Sequence, residues 1–294
     1  MDGKNAVDNW LLLSFLLVVW GVNFVFVKVG LEYATPLAFT FYRMFIATLV
    51  TLPLALRSLS KIRKFDKKAL LATLAFAVCV SVVFQAFWFL GEALIPAGLT
   101  AVVIYTYPLF TVLFTKMFLS DRLTPFRVAG VVAGFVGIVL VLTSGRLNVS
   151  VDPHGVVFLV ISAIGFAGSF IVYRRWLLGQ DPIALNFVQL VFASSILFVW
   201  VLLSNAHSLI DLQFTNVNFL GALLFVTIPG TALAYLVWMK LVSSRGPVWV
   251  STWLFLVPVV ALASSVLFLG ESVDLIQSLG FLIIVTGIAA VSRG

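Results

Sequence analysis

The chain has 294 residues, 62% of them hydrophobic and 10% charged, with a mean hydropathy of +1.18. A soluble domain is about half apolar and about a quarter charged, so these values exclude a soluble protein and leave an all-helical polytopic membrane protein. The formal charge of +7 is spread over short loops between apolar runs rather than gathered into a nucleic-acid-binding face, and the single Cys79 excludes an intramolecular disulfide.

A transmembrane helix needs about 20 mainly apolar residues. That ruler predicts ten spans, at roughly 10–30, 36–57, 68–91, 97–118, 125–144, 155–177, 182–204, 216–241, 247–268 and 274–292. The first is read as a span rather than a cleaved leader, because no small-residue cleavage site follows it. Loops of a few residues force sequential spans to run antiparallel.

Orientation follows from lysine and arginine. With the N-terminus in the cytoplasm, 15 of the 18 fall inside, including the cluster Arg57, Lys61, Arg63, Lys64, Lys67 and Lys68. Lys28 and Arg146 fall outside, and Arg43 lies within the second span. Both termini are expected to be cytoplasmic.

The stretch from Tyr105 to Ile138 returns 150 residues later as Phe255 to Ile288. Pro108 falls on Pro258, Phe118 on Phe268, Asp121 on Glu271, Gly130 on Gly280 and Gly137 on Gly287. Extending the register backwards pairs Trp88 with Trp238. The shared residues mark backbone geometry, which two unrelated apolar helices would not share. At the front of each half the offset slips to 146, where Thr35-Pro36 matches Asp181-Pro182. Five spans per half is an odd number, so the halves 1–147 and 148–294 must lie in opposite orientations. Such inverted repeats are characteristic of secondary transporters.

Trp20-Gly21-Val22-Asn23-Phe24, Arg43-Met44-Phe45, the mid-span Tyr107-Pro108-Leu109 and Val257-Pro258-Val259, and the turn Phe268-Leu269-Gly270-Glu271 resemble recurrent motifs of the EamA-type transporters of the drug/metabolite transporter superfamily. The resemblance covers essentially the whole chain. Phe118-Leu119-Ser120-Asp121 departs from the turn motif by two conservative changes, and the second-half counterpart of the first motif, Gly165 to Phe170, lacks its Trp and Asn. The resemblance implies a ten-helix carrier with a central cavity that moves small metabolites or drugs, often outward.

Polar groups inside a span are costly and usually face a cavity or a partner. On helical spacing, Gln85, Trp88 and Glu92 share a face of span three, and Thr227, Thr231, Tyr235 and Trp238 a face of span eight. Ser162, Ser169 and Tyr173 align in span six, and Trp249 and Trp253 are one turn apart in span nine. Tyr105 lies one turn before Pro108, and Trp20 and Asn23 lie together in span one. The expected substrate-binding residues are Trp20, Asn23, Gln85, Trp88, Tyr105, Ser169, Tyr235, Trp238 and Trp253. Each has a plainer reading: Trp and Tyr near span ends anchor at the interface, and Ser and Thr bond their own backbone.

Pro108 and Pro258 each free a carbonyl four residues earlier, which makes them candidate hinges or kinks satisfied by a neighbouring helix. Arg43, about 10 Å below the outer surface at the helical rise, is read as a structural or gating group. It would pair with Glu92 or Glu32, bind a substrate carboxylate, or snorkel outward. Asp121 and Glu271 read as helix caps, and the glycines of spans five and ten as packing of those spans within one chain.

These features point to a secondary carrier in a cell membrane, that of a prokaryote above all, exporting amino acids or similar amphipathic molecules or drugs. A flippase or nucleotide-sugar-type carrier would share the architecture. A lipid-modifying enzyme would need convergent acids, bases or metal ligands, and the two histidines, His154 and His207, fall in predicted outer loops. No cofactor or metal is expected. The expected partners are a small-molecule substrate and the lipid bilayer, with no nucleic acid, in a monomer or weak homodimer.

Overall fold

The computed structural model describes residues 3–119, 124–143, 151–245, 250, 253–254, 256–270 and 275–293. All regular structure among them is helical. The first half holds α1 (Gly3–Gly30), α2 (Pro36–Arg57), α3 (Lys67–Leu94), the half-helices α4 (Ala97–Ile104) and α5 (Tyr107–Leu119), and α6 (Pro125–Thr143). The second holds α7 (Pro153–Leu177), α8 (Pro182–Asn205), α9 (Val217–Thr227, continued through Ile228–Leu233 to Ala234–Arg245), α10 (Val257–Leu269) and α11 (Leu275–Arg293). Seven described helical stretches are long and apolar enough to cross a membrane, the fourth being α4 and α5 together. The predicted spans at 125–144 and 274–292 match α6 and α11, while the one at 247–268 is matched in its second part by α10, an apolar helix of 13 residues, and lies in its first part mostly outside the described residues.

The sequence starts its helices with defined caps. Asp66 accepts the Ala69 N–H at 2.7 Å to open α3. Asn216, 150 residues on, accepts the Asn218 and Phe219 N–H groups to open α9. Pro36 and Pro182 occupy first-turn positions, where the missing donor costs nothing. Gly270 ends α10 at φ 66°, a left-handed conformation that glycine adopts without a Cβ clash. The expected caps Asp121 and Glu271, and Trp249, lie outside the described residues.

The register of the repeat extends to backbone irregularities. In α3 the helix widens to a π turn at Val78–Val83, and in α9 at Ile228–Leu233, 150 residues apart end for end. Pro229 explains the second, because it removes a donor. Within that turn Thr231 donates its hydroxyl to the Val226 carbonyl five residues back, at 2.8 Å. The first has no proline but carries four β-branched valines, which crowd a helix at χ1. Span four breaks at Tyr105–Thr106, so Pro108 sits in the first turn of α5 rather than inside a continuous helix. Pro258 stands likewise in the first turn of α10.

The halves interlock. α1 packs on α9 and α10 of the other half, and α7 packs on α3 and α5 in return. α2 lies against α8 and α6 against α11. A Cβ on Gly287 would stand 2.7 Å from the Gly130 carbonyl and 2.9 Å from the Gly134 nitrogen, so α6 and α11 approach backbone to backbone. Gly287→Val is expected to destabilise the fold by about 1–3 kcal/mol through overpacking, read as a lower melting temperature in detergent; an unchanged melting temperature would contradict that contact.

At the cytoplasmic surface Lys61 reaches Asp181 at 2.6 Å, tying the short helix Leu59–Ile62 after α2 to the cap of α8. Partial burial raises the Asp181 pKa, but the hydrogen bonds from Lys61 and the Ala184 N–H outweigh it and hold the carboxyl below its ordinary value. A depressed folded-state pKa contributes stability that is present above the unfolded value of about 3.9 and lost as pH falls through the folded one. Asp181→Asn keeps the cap and removes the charge. It is expected to cost less than about 1 kcal/mol at neutral pH, given solvent screening, with the deficit in melting temperature shrinking below about pH 4. A deficit independent of pH would assign the loss to packing instead.

Candidate functional site

The π turn of α9, the break between α4 and α5, and the middles of α1, α2, α3 and α7 converge on one cavity. Each irregularity turns backbone or side-chain polarity inward at mid-membrane depth, where non-helical backbone is tolerated only against protein or a wet cavity. The lining side chains are buried except for Trp20, which is half-buried. The space open to the centre of a water molecule is ≈ 30 Å³, enough for roughly two waters. The site is therefore held nearly shut.

Arg43, 1% exposed, organises the polar wall. Its Nε donates to Thr231 Oγ1 at 2.7 Å and its Nη1 to Gln85 Oε1 at 2.9 Å. Nη2 reaches the Gly230 carbonyl at 3.5 Å, which also accepts from Trp20 Nε1 at 3.3 Å. The guanidinium lies 5.4 Å from the ring centres of both Trp88 and Phe89, within cation–π range. Of the readings open for Arg43, a direct ion pair with Glu92 or Glu32 is not formed, although the Glu92 charge lies near enough to act on the guanidinium. Glu92 stands one turn beyond Trp88 on α3 and accepts the Trp88 indole N–H through Oε2, while Arg43 meets the π turn across the bundle. A cation buried against neutral oxygens and rings keeps a strong preference for an anion.

Gln85 passes the network on, donating Nε2 to the Tyr235 hydroxyl at 2.7 Å. The two residues are repeat partners 150 apart, so this bond crosses the pseudo-two-fold axis. The same symmetry pairs Arg43–Thr231 with Gln189–Ser81, where Ser81 donates to Gln189 Oε1 at 2.7 Å. Each half thus holds the π turn of the other with a long polar side chain, a cation in one case and an amide in the other.

Three buried polar atoms in the wall have no partner: Asn23 Oδ1, Asn23 Nδ2 and the Tyr107 hydroxyl. An orphaned buried polar group costs about 1–3 kcal/mol, so a cavity that keeps three of them is suited to a ligand carrying both donors and acceptors. Gly230 permits this arrangement, because a Cβ there would stand 2.8 Å from Asn23 Oδ1.

Of the residues expected from sequence, Trp20, Asn23, Gln85, Trp88, Tyr105, Tyr235 and Arg43 come together in this wall. Trp238 lines a neighbouring pocket. Ser169 is buried but donates to its own helix at the Phe166 carbonyl, 2.6 Å away. Trp253 lies outside the lining and packs edge-on to Trp10, with centroids 4.9 Å apart, at the end of α1 that the charge distribution assigns to the cytoplasm. Tyr107, Phe166 and Gly230 are additions, whereas Thr231, already on the polar face of span eight, is the group that accepts from Arg43 Nε. The Pro229-Gly230 pair in mid-span was the available signal for Gly230. Lys28, assigned to the outer side, bonds the Glu92 and Ile95 carbonyls at 2.7 and 2.9 Å and so closes the C-terminal end of α3.

Two interlocked helical halves, related by inverted pseudo-symmetry and closed over a buried polar cavity, define a multi-pass membrane transporter. The chain belongs to the EamA-like transporter family, whose model matches residues 8–143 and again 153–293. It is 29% identical over 282 residues to the uncharacterized transporter YvbV of Bacillus subtilis, covering 96% of this chain and 90% of that one. It is 27% identical over 294 residues to a probable amino-acid metabolite efflux pump of Salmonella typhimurium, covering 96% and 93%. It is 25% identical over 288 residues to the uncharacterized inner membrane transporter YedA of Escherichia coli K12, covering 96% and 90%. A solved crystal structure superposes with a TM-score of 0.70 at 18% identity, covering 97% of this chain and 96% of that one, a likeness of fold.

Proposed function

We infer that the chain is a secondary transporter working by alternating access, which exports small amphipathic or aromatic metabolites, amino acids foremost, across a prokaryotic inner membrane. The observation that carries this reading is the chemistry of the central cavity. It joins one guanidinium without a contacting carboxylate, an orphaned carboxamide at Asn23 and the Tyr107 hydroxyl to aromatic walls. A carboxylate would sit beside Arg43, an amino group or amide would meet Asn23 and Tyr107, and an apolar side chain would lie against Phe24, Phe84 and Phe166. The efflux pump of Salmonella typhimurium supports the same substrate class.

α3 with α4 and α5, and their repeat partners α9 and α10, rock around the cavity, with Pro108 and Pro258 as hinges and Glu92 beside Trp88 as part of the outer closure. The test is uptake and counterflow in proteoliposomes with a panel of labelled amino acids. At least one aromatic or branched apolar member is expected to move, and movement is expected to fail with Arg43→Ala. A folded protein that moves no member of the panel would overturn the assignment.

A further inference from the structure

A second pocket lies against the first, sharing Phe166 and Tyr235 with it and walled also by Phe76, Val80, Gln189, Trp238 and Met239. It lies nearer the cytoplasmic surface, because α3 runs outward from Lys67 past Phe76 before reaching Trp88, and α9 runs inward from Val217 to reach Trp238 and Met239 before Arg245.

The repeat register explains its make-up. Phe166, Gln189 and Trp238 stand where Trp20, Arg43 and Trp88 stand in the first half, and Tyr235 and Gln85 exchange roles across the axis. The Tyr235 hydroxyl lies 3.3 Å from the Val80 carbonyl, the counterpart of Gly230. The second pocket is thus the symmetry image of the first with two changes of chemistry. Gln189 replaces the cation, and the acceptor of the tryptophan N–H is gone: Trp88 donates to Glu92, whereas the residue at the Glu92 position is Val242. Trp238 Nε1 is accordingly unpartnered in a side chain only 2% exposed. The pocket leaves no room for the centre of a water molecule, against ≈ 30 Å³ in the first, and is pinched shut here, as an image site would be while neither side is open.

We propose that this pocket is a second substrate subsite, reached from the cytoplasm, which takes an uncharged aromatic or apolar group bearing a carbonyl acceptor for the Trp238 indole N–H. Its walls are Phe76, Phe166 and Met239, and the Gln85–Tyr235 hydrogen bond separates it from the Arg43 cavity. The carboxylate end of an amphipathic molecule has no cation to meet there and is held only after passing that bond. The consequence for transport rests on the alternating-access reading; occupancy of the pocket does not.

The test therefore has two arms. In the first, Met239→Cys is built on Cys79→Ser in the full chain, and its alkylation by N-ethylmaleimide in inside-out vesicles is timed with and without phenylacetamide, a neutral aromatic amide. Protection is expected, and adding Trp238→Phe is expected to raise the half-protecting concentration about tenfold, the equivalent of one hydrogen bond. In the second arm, transport of labelled phenylalanine is compared from each face. Trp238→Phe is expected to raise KM about tenfold from the cytoplasmic face and to change it less than about twofold from the outer face.

Absence of protection, or protection insensitive to Trp238→Phe in a protein that elutes as a single folded species, overturns the subsite. An equal KM change from both faces also overturns it. Protection without transport of phenylalanine keeps the subsite and counts against the transport reading instead.

Discussion

Arg43→Ala is expected to lower transport efficiency at least about a hundredfold while leaving the protein folded. The opposing energies decide this outcome. Removing the side chain orphans Gln85 Oε1 and takes a donor from Thr231 and from the Gly230 carbonyl, at about 1–3 kcal/mol for each group left unsatisfied. It also removes a cation that is buried without a contacting carboxylate, and desolvating such an ion costs several kcal/mol. The two contributions oppose each other, so the melting temperature changes little. Transport has no such compensation, because the guanidinium is the cationic member of the cavity wall and fixes Gln85 against Tyr235. A loss of a hundredfold corresponds to about 2.7 kcal/mol, within the range for truncating a buried, hydrogen-bonded charge. Arg43→Lys is expected to recover little, since a single ammonium does not reproduce the planar fork that spans α9 and α3. Substrate uptake together with thermal melts of wild type and both variants checks this. Near-normal uptake in Arg43→Ala would remove Arg43 from the site, and collapse of the fold would make it a structural group.

Asn23→Leu is expected to separate stability from function in the opposite direction. Both amide atoms of Asn23 are buried without partners, and an apolar side chain of similar size relieves that penalty, by about 1–3 kcal/mol for each satisfied group. The variant is expected to melt several degrees higher and to transport at less than about a tenth of the wild-type rate, the loss of roughly one substrate hydrogen bond. Sites that bind ligands commonly keep such groups at the expense of stability. A melting temperature below wild type would mean that Asn23 has a structural partner in solution.

Much of this arrangement was legible before the structure. The prolines and glycines shared at an offset of 150 marked α5 with α10 and α6 with α11, because those residue types report backbone geometry. The polar faces of spans one, three and eight predicted Asn23, Gln85 and Tyr235 as neighbours of one cavity. What remained hidden had physical causes. Helical spacing places a residue on a face but does not say which face meets the cavity, so Ser169 and Trp253 read like Asn23 and Trp20. Ser169 instead satisfies itself within one turn, and Trp253 finds Trp10. The π turns were invisible in Val78–Val83, where β-branched residues are common in any apolar span, and only hinted at by Pro229-Gly230. The contacts of Arg43 stayed open among several readings, because sequence spacing cannot say which helix faces it; the geometry of α2 and α9 supplies Thr231 and a backbone carbonyl.

The central claim is that one cavity, lined by Asn23, Arg43 and Tyr107, faces the two sides of the membrane in turn. Single-cysteine accessibility tests it most directly. Tyr107→Cys on Cys79→Ser is treated with a membrane-impermeant maleimide from outside in right-side-out vesicles and from inside in inside-out vesicles. The account predicts labelling from both faces, slowed from both by a transported amino acid. Labelling from one face alone, at an unchanged rate when that amino acid is present, would contradict it.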